Sequence, residues 1–303
     1  MESPQRKRIP GEIFLLITAL IWGSGFVAQR LGMDHVQPFT FISARFFLGV
    51  LSLLPVIALT RKSNTLPPVT TRQFILAGFF CGFSLFRGGA RQKIGLVPPT
   101  AGKAGFITTL YIIIVPLIGL FFGRKLTTQV IGGVILAVIG LYLLSVKGGF
   151  TIERGDLAVL VGAFFWSGHI LVVDHFSKRI DGLQLSAMQF FVAAILSTIA
   201  TFLFETPTVK GILGASGAIL YAGIIVVGMA FTFQVLGQRN TNPTIAALIM
   251  CLEAVFAAVF GYLLLHEVMT TRELLGCALM LAGVILAQLK FGEKPALQDE
   301  PAQ

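Results

Sequence analysis

Long apolar runs, cut at short intervals by clusters of charge, proline and glycine, set the pattern of this chain. Ala104–Gly123 runs 20 residues without a charge, and Leu126–Val146 runs 21. A helix of about 20 apolar residues crosses the ~30 Å hydrocarbon core of a bilayer. A membrane barrel would instead alternate over segments of about 10 residues. Cutting at the breaks predicts ten helices, at 11–31, 38–60, 73–92, 99–122, 127–146, 156–176, 183–204, 214–236, 243–265 and 271–289. Their connections are short. The segment 291–303 is polar and is expected to be a disordered cytoplasmic tail.

Composition agrees with the pattern. The 303 residues are 55% hydrophobic and only 12% charged, against about 25% charged in a soluble domain. The fold class expected is an all-α membrane protein with ten transmembrane helices. The net charge of +9 sits mostly in loops between the predicted spans, which points to membrane topology and not to nucleic acid. Arg6, Lys7, Arg8, Arg61, Lys62, Arg72, Arg124, Lys125, Lys178, Arg179, Arg239, Lys290 and Lys294 fall on one side. Arg30, Arg91, Lys93, Lys147, Arg154, Lys210 and Arg272 fall on the other. The larger set places both termini in the cytoplasm. Cys81, Cys251 and Cys277 lie inside apolar spans, so no disulfide framework is expected. The basic N-terminus lacks a clear small-residue cleavage site and reads as a retained first helix.

An internal repeat is visible. LTTQVIGGVILAVIGLYLLS at 126–145 aligns without gaps with MTTRELLGCALMLAGVILAQ at 269–288, an offset of 143. It matches Thr127 with Thr270, Thr128 with Thr271, Gly133 with Gly276 and Gly140 with Gly283. At an offset of 144, Trp22 matches Trp166 and Phe46-Phe47 matches Phe190-Phe191. Five spans per repeat is an odd number, so the halves enter the membrane in opposite directions. Inverted repeats are a recurrent plan of secondary transporters, with the substrate between the halves near the midplane. The units expected are a first repeat over 1–146 and a second over 154–290.

Several stretches resemble the drug/metabolite transporter superfamily, and within it the EamA-type ten-helix carriers. They are IWGSGF (21–26), Pro38 followed by Arg45, and QKIGLVPPTAGKAGFITTLYIIIVPL (92–117) in the first half. In the second half they are 154–190 and TNPTIAALIMCLEAVFAAVFGYLLLHEVMTTRELLGCALMLAGVIL (241–286). The resemblance implies four helices of each half around a central pathway, with the fifth of each (127–146 and 271–289) outside as a support. It implies transport of metabolites such as amino acids or toxic analogues, with efflux favoured, across the cell (inner) membrane. One departure is plain: Gly-Arg-Lys at 123–125 stands where the second half has His266-Glu267. No catalytic role belongs to that loop position.

Polar groups inside the spans are the candidate pathway. An ionisable residue in hydrocarbon costs about 2.5–3.5 kcal/mol on insertion scales, so it faces a cavity or a partner. Glu253 lies ten residues after Pro243, roughly half the membrane at 1.5 Å per residue. It reads either as a proton-coupling or cation-contacting group, or as a structural partner of Arg45 or another cation. Its repeat equivalent, Leu110, is apolar. Arg45, whose equivalent is Gln189, reads as a substrate contact, a gate or half of a packing ion pair. Arg87 and Arg91, four residues apart, share a helical face, and Lys103 opens the next helix at similar depth. With Lys93 they make either an electropositive vestibule for anionic or zwitterionic solutes or snorkelling anchors for headgroup phosphates. Trp22, Tyr111, Trp166, His169, Gln234 and Gln238 complete the candidates, with core filling as the other reading of the tryptophans and simple hydrogen bonding as that of His169. Pro55 and Pro116 lie inside spans, where each removes a helix bond and suits a hinge. The GxxxG pairs Gly78/Gly82 and Gly119/Gly123 carry little weight in a chain with 33 glycines.

Enzyme classes find no support: HExxH, a Walker A loop and paired intramembrane carboxylates are all absent from the sequence. No cofactor or metal is expected. The function expected is a secondary transporter of a small organic solute working by alternating access, with a facilitative channel or uptake permease as the alternative. The partners expected are that solute and membrane lipid, with proton or ion coupling, no nucleic acid, and a monomeric or homodimeric state.

Overall fold

The structure, a computed structural model, describes residues 10–60, 69–91, 101–146 and 154–289. The described residues are helical and contain no strand. The first half comprises α1 Gly11–Met33, α2 Pro38–Thr60, α3 Thr71–Arg91, α4 Ala101–Thr109, α5 Tyr111–Phe121 and α6 Thr128–Ser145. The second comprises α7 Arg154–Ser177, α8 Gly182–Phe204, α9 Val209–Gly214, α10 Ser216–Leu220, a π-helix π1 Tyr221–Phe231, α11 Thr232–Gln238, α12 Pro243–Met250, α13 Glu253–Leu265 and α14 Thr271–Gln288. End A of the bundle is where α1 finishes and α2 begins; end B is where α2 finishes and α3 begins.

Among the described residues eight helices are long and apolar enough to cross a bilayer, and Gly105–Phe121 is a shorter apolar one. The predicted count of ten spans is not confirmed by this criterion: among the described residues α3, which carries Arg72, Arg87 and Arg91, is not one of the eight. Large apolar side chains such as Leu51, Phe121, Phe202 and Ile285 stand on the outside of the bundle, as lipid-facing residues do.

Local chemistry sets the helix boundaries. The Thr127 side chain accepts from Val130 N at 3.3 Å to start α6. Its repeat equivalent Thr270 accepts from Glu273 N at 3.3 Å, and Glu273 Oε2 takes the Thr270 N–H at 2.7 Å, closing a capping box on α14. Asp181 caps α8 by accepting from Leu183 N and Gln184 N. Just before α6 and α14 the chain turns through the left-handed region at the equivalent residues Gly123 (φ 74°) and His266 (φ 55°), glycine being the residue that does so without strain.

One cap crosses between the halves. Glu205, just past α8, accepts from Phe39 N at 2.6 Å, Thr40 N at 2.7 Å and Thr40 Oγ1 at 2.7 Å, closing the start of α2. A carboxylate there meets both the free N–H groups and the positive end of the helix. Glu205→Ala is expected to lower stability by about 2 kcal/mol; thermal unfolding in detergent measures it, and an unchanged midpoint would remove the cap from the account.

The two halves are related by a pseudo-two-fold axis. Helices α6 and α14 pack on each other, and α2 packs on α8. Helix α3 contacts α7 and α8, while its counterpart π1 contacts α1 and α2. Repeat-equivalent rings meet one another: Trp22 and Trp166 have centroids 6.4 Å apart, and Phe46 and Phe190 6.2 Å. A Cβ on Gly133 would stand 2.6 Å from Gly283 O, and one on Gly140 2.5 Å from Gly276 O. Since Gly133 corresponds to Gly276 and Gly140 to Gly283, the α6–α14 contact is self-complementary and antiparallel, as an inverted repeat requires. Small residues permit this approach where lipid provides no hydrophobic drive for helix association.

The GxxxG pairs differ from each other. Gly78 and Gly82 set a close approach of α3 to α8, a Cβ on Gly82 falling 2.6 Å from Gln189 O. The three atoms nearest a Cβ on Gly119 belong to Arg124 of its own connection, and Gly123 serves the turn.

Candidate functional site

Two interrupted helices build the centre of the bundle. The break between α4 and α5 falls at Leu110, and that between α12 and α13 at Cys251-Leu252. Under the offset of 143 these positions nearly coincide. Tighter i→i−3 bonds replace the regular ones there, from Leu110 N to Ile107 O and from Leu252 N to Ile249 O, both 3.2 Å. Side chains next to the breaks compete for helix carbonyls. Thr109 Oγ1 donates to Gly105 O at 2.9 Å, and Cys251 Sγ to Leu248 O at 3.0 Å. The helical segments that resume start with Tyr111 and Glu253. The Tyr111 hydroxyl donates to Glu253 Oε1 at 3.2 Å, so the fourth helices of the two halves meet through these side chains.

A cavity of about 80 Å3 opens beside this pair, lined by Trp22, Arg45, Tyr111, Trp166, Gln234 and Glu253 together with Gly25, Phe26, Gln29, Thr108, Ile170, Val226 and Phe231. One water needs about 10–15 Å3 on this measure, so the space admits solvent or a polar solute. Phe26 and Gln29 on α1 and Arg45 on α2 place it between the middle of the bundle and end A.

Arg45 is the unusual member. Its guanidinium lies 5.3 Å from the Phe46 ring centroid and 5.9 Å from that of Phe41, a cation–π arrangement. Nη1 donates to Gln29 Oε1 over a long 3.4 Å, and Nε has no partner among the described residues. Among the described residues Arg45 has no ion pair, with Glu253 or any other acid. The pairing of Glu253 with Arg45, one of the alternatives raised by the sequence, is therefore replaced by the Tyr111–Glu253 contact. Among the described residues the buried indole N–H groups of Trp22 and Trp166 find no acceptor, and Gln234 Oε1 finds no donor. A buried indole N–H normally finds a partner; that of Trp166 lies against α3, 3.0 Å from where a Cβ on Gly88 would stand.

Phe231 organises the aromatic wall. Its ring lies 4.7 Å from Trp22, 6.2 Å from Trp166 and 6.2 Å from Phe190. It ends π1, whose wider turn presents residues differently from the regular α3 in the other half. Thr18 on α1 donates to Ala230 O at 3.0 Å at this point.

The remaining candidates are placed elsewhere. His169 and Gln189 are buried towards end B and bond each other, Nε2 to Oε1, at 2.9 Å. They are the repeat counterparts of Gly25 and Arg45, so the space that is open near end A is filled by a side-chain pair near end B. Gln234 Nε2 donates to Gln238 Oε1 at 2.9 Å, and Gln238 Nε2 to Ile170 O at 2.9 Å, bracing the same region. The Arg87 guanidinium lies 5.3 Å from the Phe165 ring centroid, off the cavity lining. Lys93 and the side chains of Arg91 and Lys103 lie outside the described residues. Pro55 and Pro116 are inside α2 and α5.

Sequence reasoning missed Gln29, Phe26, Thr108 and Phe231. Trp22, Gly25, Phe26 and Gln29 follow a 3–4 residue spacing on one face of α1, a signal present in the chain. Phe231 carried none, being one of 27 phenylalanines.

Comparisons with known proteins agree with this architecture. The EamA-like transporter family matches residues 9–146 and 153–289. An uncharacterized transporter of Archaeoglobus fulgidus is 32% identical over 94% of this chain and 87% of its own. The uncharacterized transporter YoaV of Bacillus subtilis is 25% identical, over 92% of this chain and 97% of its own. The uncharacterized inner membrane transporter YedA of Escherichia coli is 23% identical, over 95% and 94%. A solved crystal structure at 21% identity, covering 92% of this chain and 98% of that one, has a TM-score of 0.79 and the same fold. With both halves matched and their inverted packing enclosing a cavity that Arg45, Gln234 and Glu253 help to line, this chain belongs to the EamA-like transporter family, as a multi-pass membrane transporter and not an enzyme.

Proposed function

We propose that the protein is a secondary carrier that exports a small amino acid-like or drug-like organic solute by alternating access between its two repeats, 1–146 and 154–290. Both termini are cytoplasmic in this reading, so end A faces outward. The observation that carries it is Arg45, a cation on the cavity wall with no acidic partner among the described residues. A charge held out of water needs a counter-charge or solvent. A solute carboxylate would supply it, with Trp22, Trp166 and Phe231 against the apolar part of the solute. Glu253 is the coupling group for a proton or other cation, and Pro55 and Pro116 are the hinges that let α2 and α5 bend.

The identifying experiment is a metabolite screen of cells with and without the gene, followed by counterflow of the hits in proteoliposomes. A saturable, trans-stimulated flux is expected; flux without trans-stimulation would point to a channel. With the solute in hand, Arg45→Gln, which installs the residue of the other repeat, is expected to raise the half-saturation concentration for carboxylate solutes about tenfold or more, since one charge-assisted hydrogen bond contributes about 1.5–3 kcal/mol. The uncharged amide analogue should be little affected. Equal losses for both solutes would assign Arg45 to packing.

A further inference from the structure

Two ion pairs join the halves at opposite ends of the bundle, and the repeat relates them with every charge inverted. At end B, Asp174 in α7 accepts from Arg124 Nη2 at 2.7 Å and from Lys178 Nζ at 2.8 Å. Arg124 belongs to the first half and Asp174 to the second. At end A, Arg30 Nη1 in α1 meets Glu267 Oε1 at 2.8 Å. The offset of 144 carries Arg30 onto Asp174 and Asp34 onto Lys178, and the offset of 143 carries Arg124 onto Glu267. A cation–anion–cation triad at end B thus corresponds to an anion–cation–anion triad at end A. The inversion puts two of the three cations at end B, the side the Lys/Arg bias favours when end B is cytoplasmic.

The triads differ in completeness. Both oxygens of Asp174 are engaged, and its side chain is 2% exposed. Among the described residues Arg30 pairs with Glu267 and not with Asp34, and the two paired side chains are 66% and 55% exposed. An exposed single pair is weakly held. A buried carboxylate that loses its cations is left as an uncompensated charge. The complete triad lies at the end where His169–Gln189 and Gln234–Gln238 fill the interior, and the incomplete triad at the end towards which the cavity extends.

We propose that the two triads are the opposed closing contacts of the transport cycle. The end B triad holds the arrangement described here. In the opposite arrangement Asp34 joins Arg30 and Glu267 as end A closes, and Arg124 parts from Asp174. This rests on the carrier reading above and adds to it the residues that set the balance between the two states.

The test uses the full chain in lipid nanodiscs, with Cys81, Cys251 and Cys277 replaced by alanine and spin labels at exposed, repeat-equivalent positions. Leu31 with Val268 reports end A, and His175 with Lys125 reports end B. Distance distributions are then recorded by pulsed electron resonance. Asp174→Asn is expected to raise the long-distance population at end B at least threefold and to shorten the end A distance. Lys178→Gln should do the same in smaller measure. Arg30→Gln and Asp34→Asn should shift both ends the other way. Moving the end A charges to end B, as Arg124→Glu with Asp174→Arg and Lys178→Asp, should restore the parent distributions, which separates lost pairing from damaged folding. Shifts in one common direction for both sets, or none in a parent that alternates, would overturn the triads and leave the carrier standing. A single fixed distance at each end in the parent and every variant would remove the carrier reading along with them.

Discussion

Glu253→Gln is expected to abolish the response of transport to a pH gradient while leaving counterflow within about threefold of the parent. Glu253 is the first residue after the break in the ninth predicted span, at mid-depth, and it lines the cavity. An ionisable group at that depth costs about 2.5–3.5 kcal/mol to insert, and here, among the described residues, it meets the Tyr111 hydroxyl and not a cation. Glutamine keeps the size of the side chain and an oxygen for Tyr111 but does not ionise. A group that binds and releases a proton during the cycle is lost by this change; a group that only accepts from Tyr111 is not. Proteoliposomes loaded with the solute found by the screen, with and without an imposed pH gradient, make the measurement. A mutant that responds to the gradient like the parent takes the coupling role away from Glu253. Loss of counterflow as well would mean that Glu253 holds the solute or the fold. The companion Tyr111→Phe tells these apart, because it removes the hydrogen bond and keeps the carboxyl.

The second large effect lies far from the cavity. Gly140→Leu is expected to destabilise the protein by about 3 kcal/mol or more, the upper range for overpacking, with transport falling as the folded fraction falls. A Cβ at this position would stand 2.5 Å from Gly276 O and 2.8 Å from Met280 N. Both are backbone atoms, so no flexible side chain can yield, and α6 must separate from α14. Because the contact is self-complementary, Gly276→Leu should behave alike, its Cβ meeting Gly140 O at 2.6 Å and Leu144 N at 2.8 Å. The control is Gly168→Ala, where an added methyl group meets nothing within 4 Å; it should be neutral or stabilising, since alanine is favoured over glycine in a helix by about 1 kcal/mol. Thermal unfolding in one detergent ranks the three. Equal midpoints for Gly140→Leu and Gly168→Ala would show that α6 and α14 do not bear on each other in solution.

The interface also shows how far a linear pattern reaches. The match of Gly133 with Gly276 and of Gly140 with Gly283 was visible as a repeat, and so was the odd number of spans that inverts one half. That these glycines face each other crosswise was not, because a repeat states which residues are equivalent and not which are adjacent. The same holds for Trp22 with Trp166 and Phe46 with Phe190: equivalence placed them near a common axis only once the halves were packed. Arg30 and Lys178 read as loop-side cations, and their relation to Asp34 and Asp174 needed both offsets together with the pairs that Arg30, Asp174 and Lys178 form.

What the sequence determined by itself is what lipid enforces residue by residue. A bilayer demands long apolar helices with their backbone bonds made internally, so the membrane class, the approximate spans, the loop charge bias and the duplication can all be read along the chain. The tertiary structure decided what depends on which side chains meet. It broke the fourth helix of each half where no proline or glycine marks the point, and it joined Glu253 to Tyr111 in place of Arg45. It filled one end with His169 and Gln189 while leaving Arg45 beside an open cavity at the other. Those outcomes come from packing two similar but unequal halves about one axis, and a single helix does not carry that information.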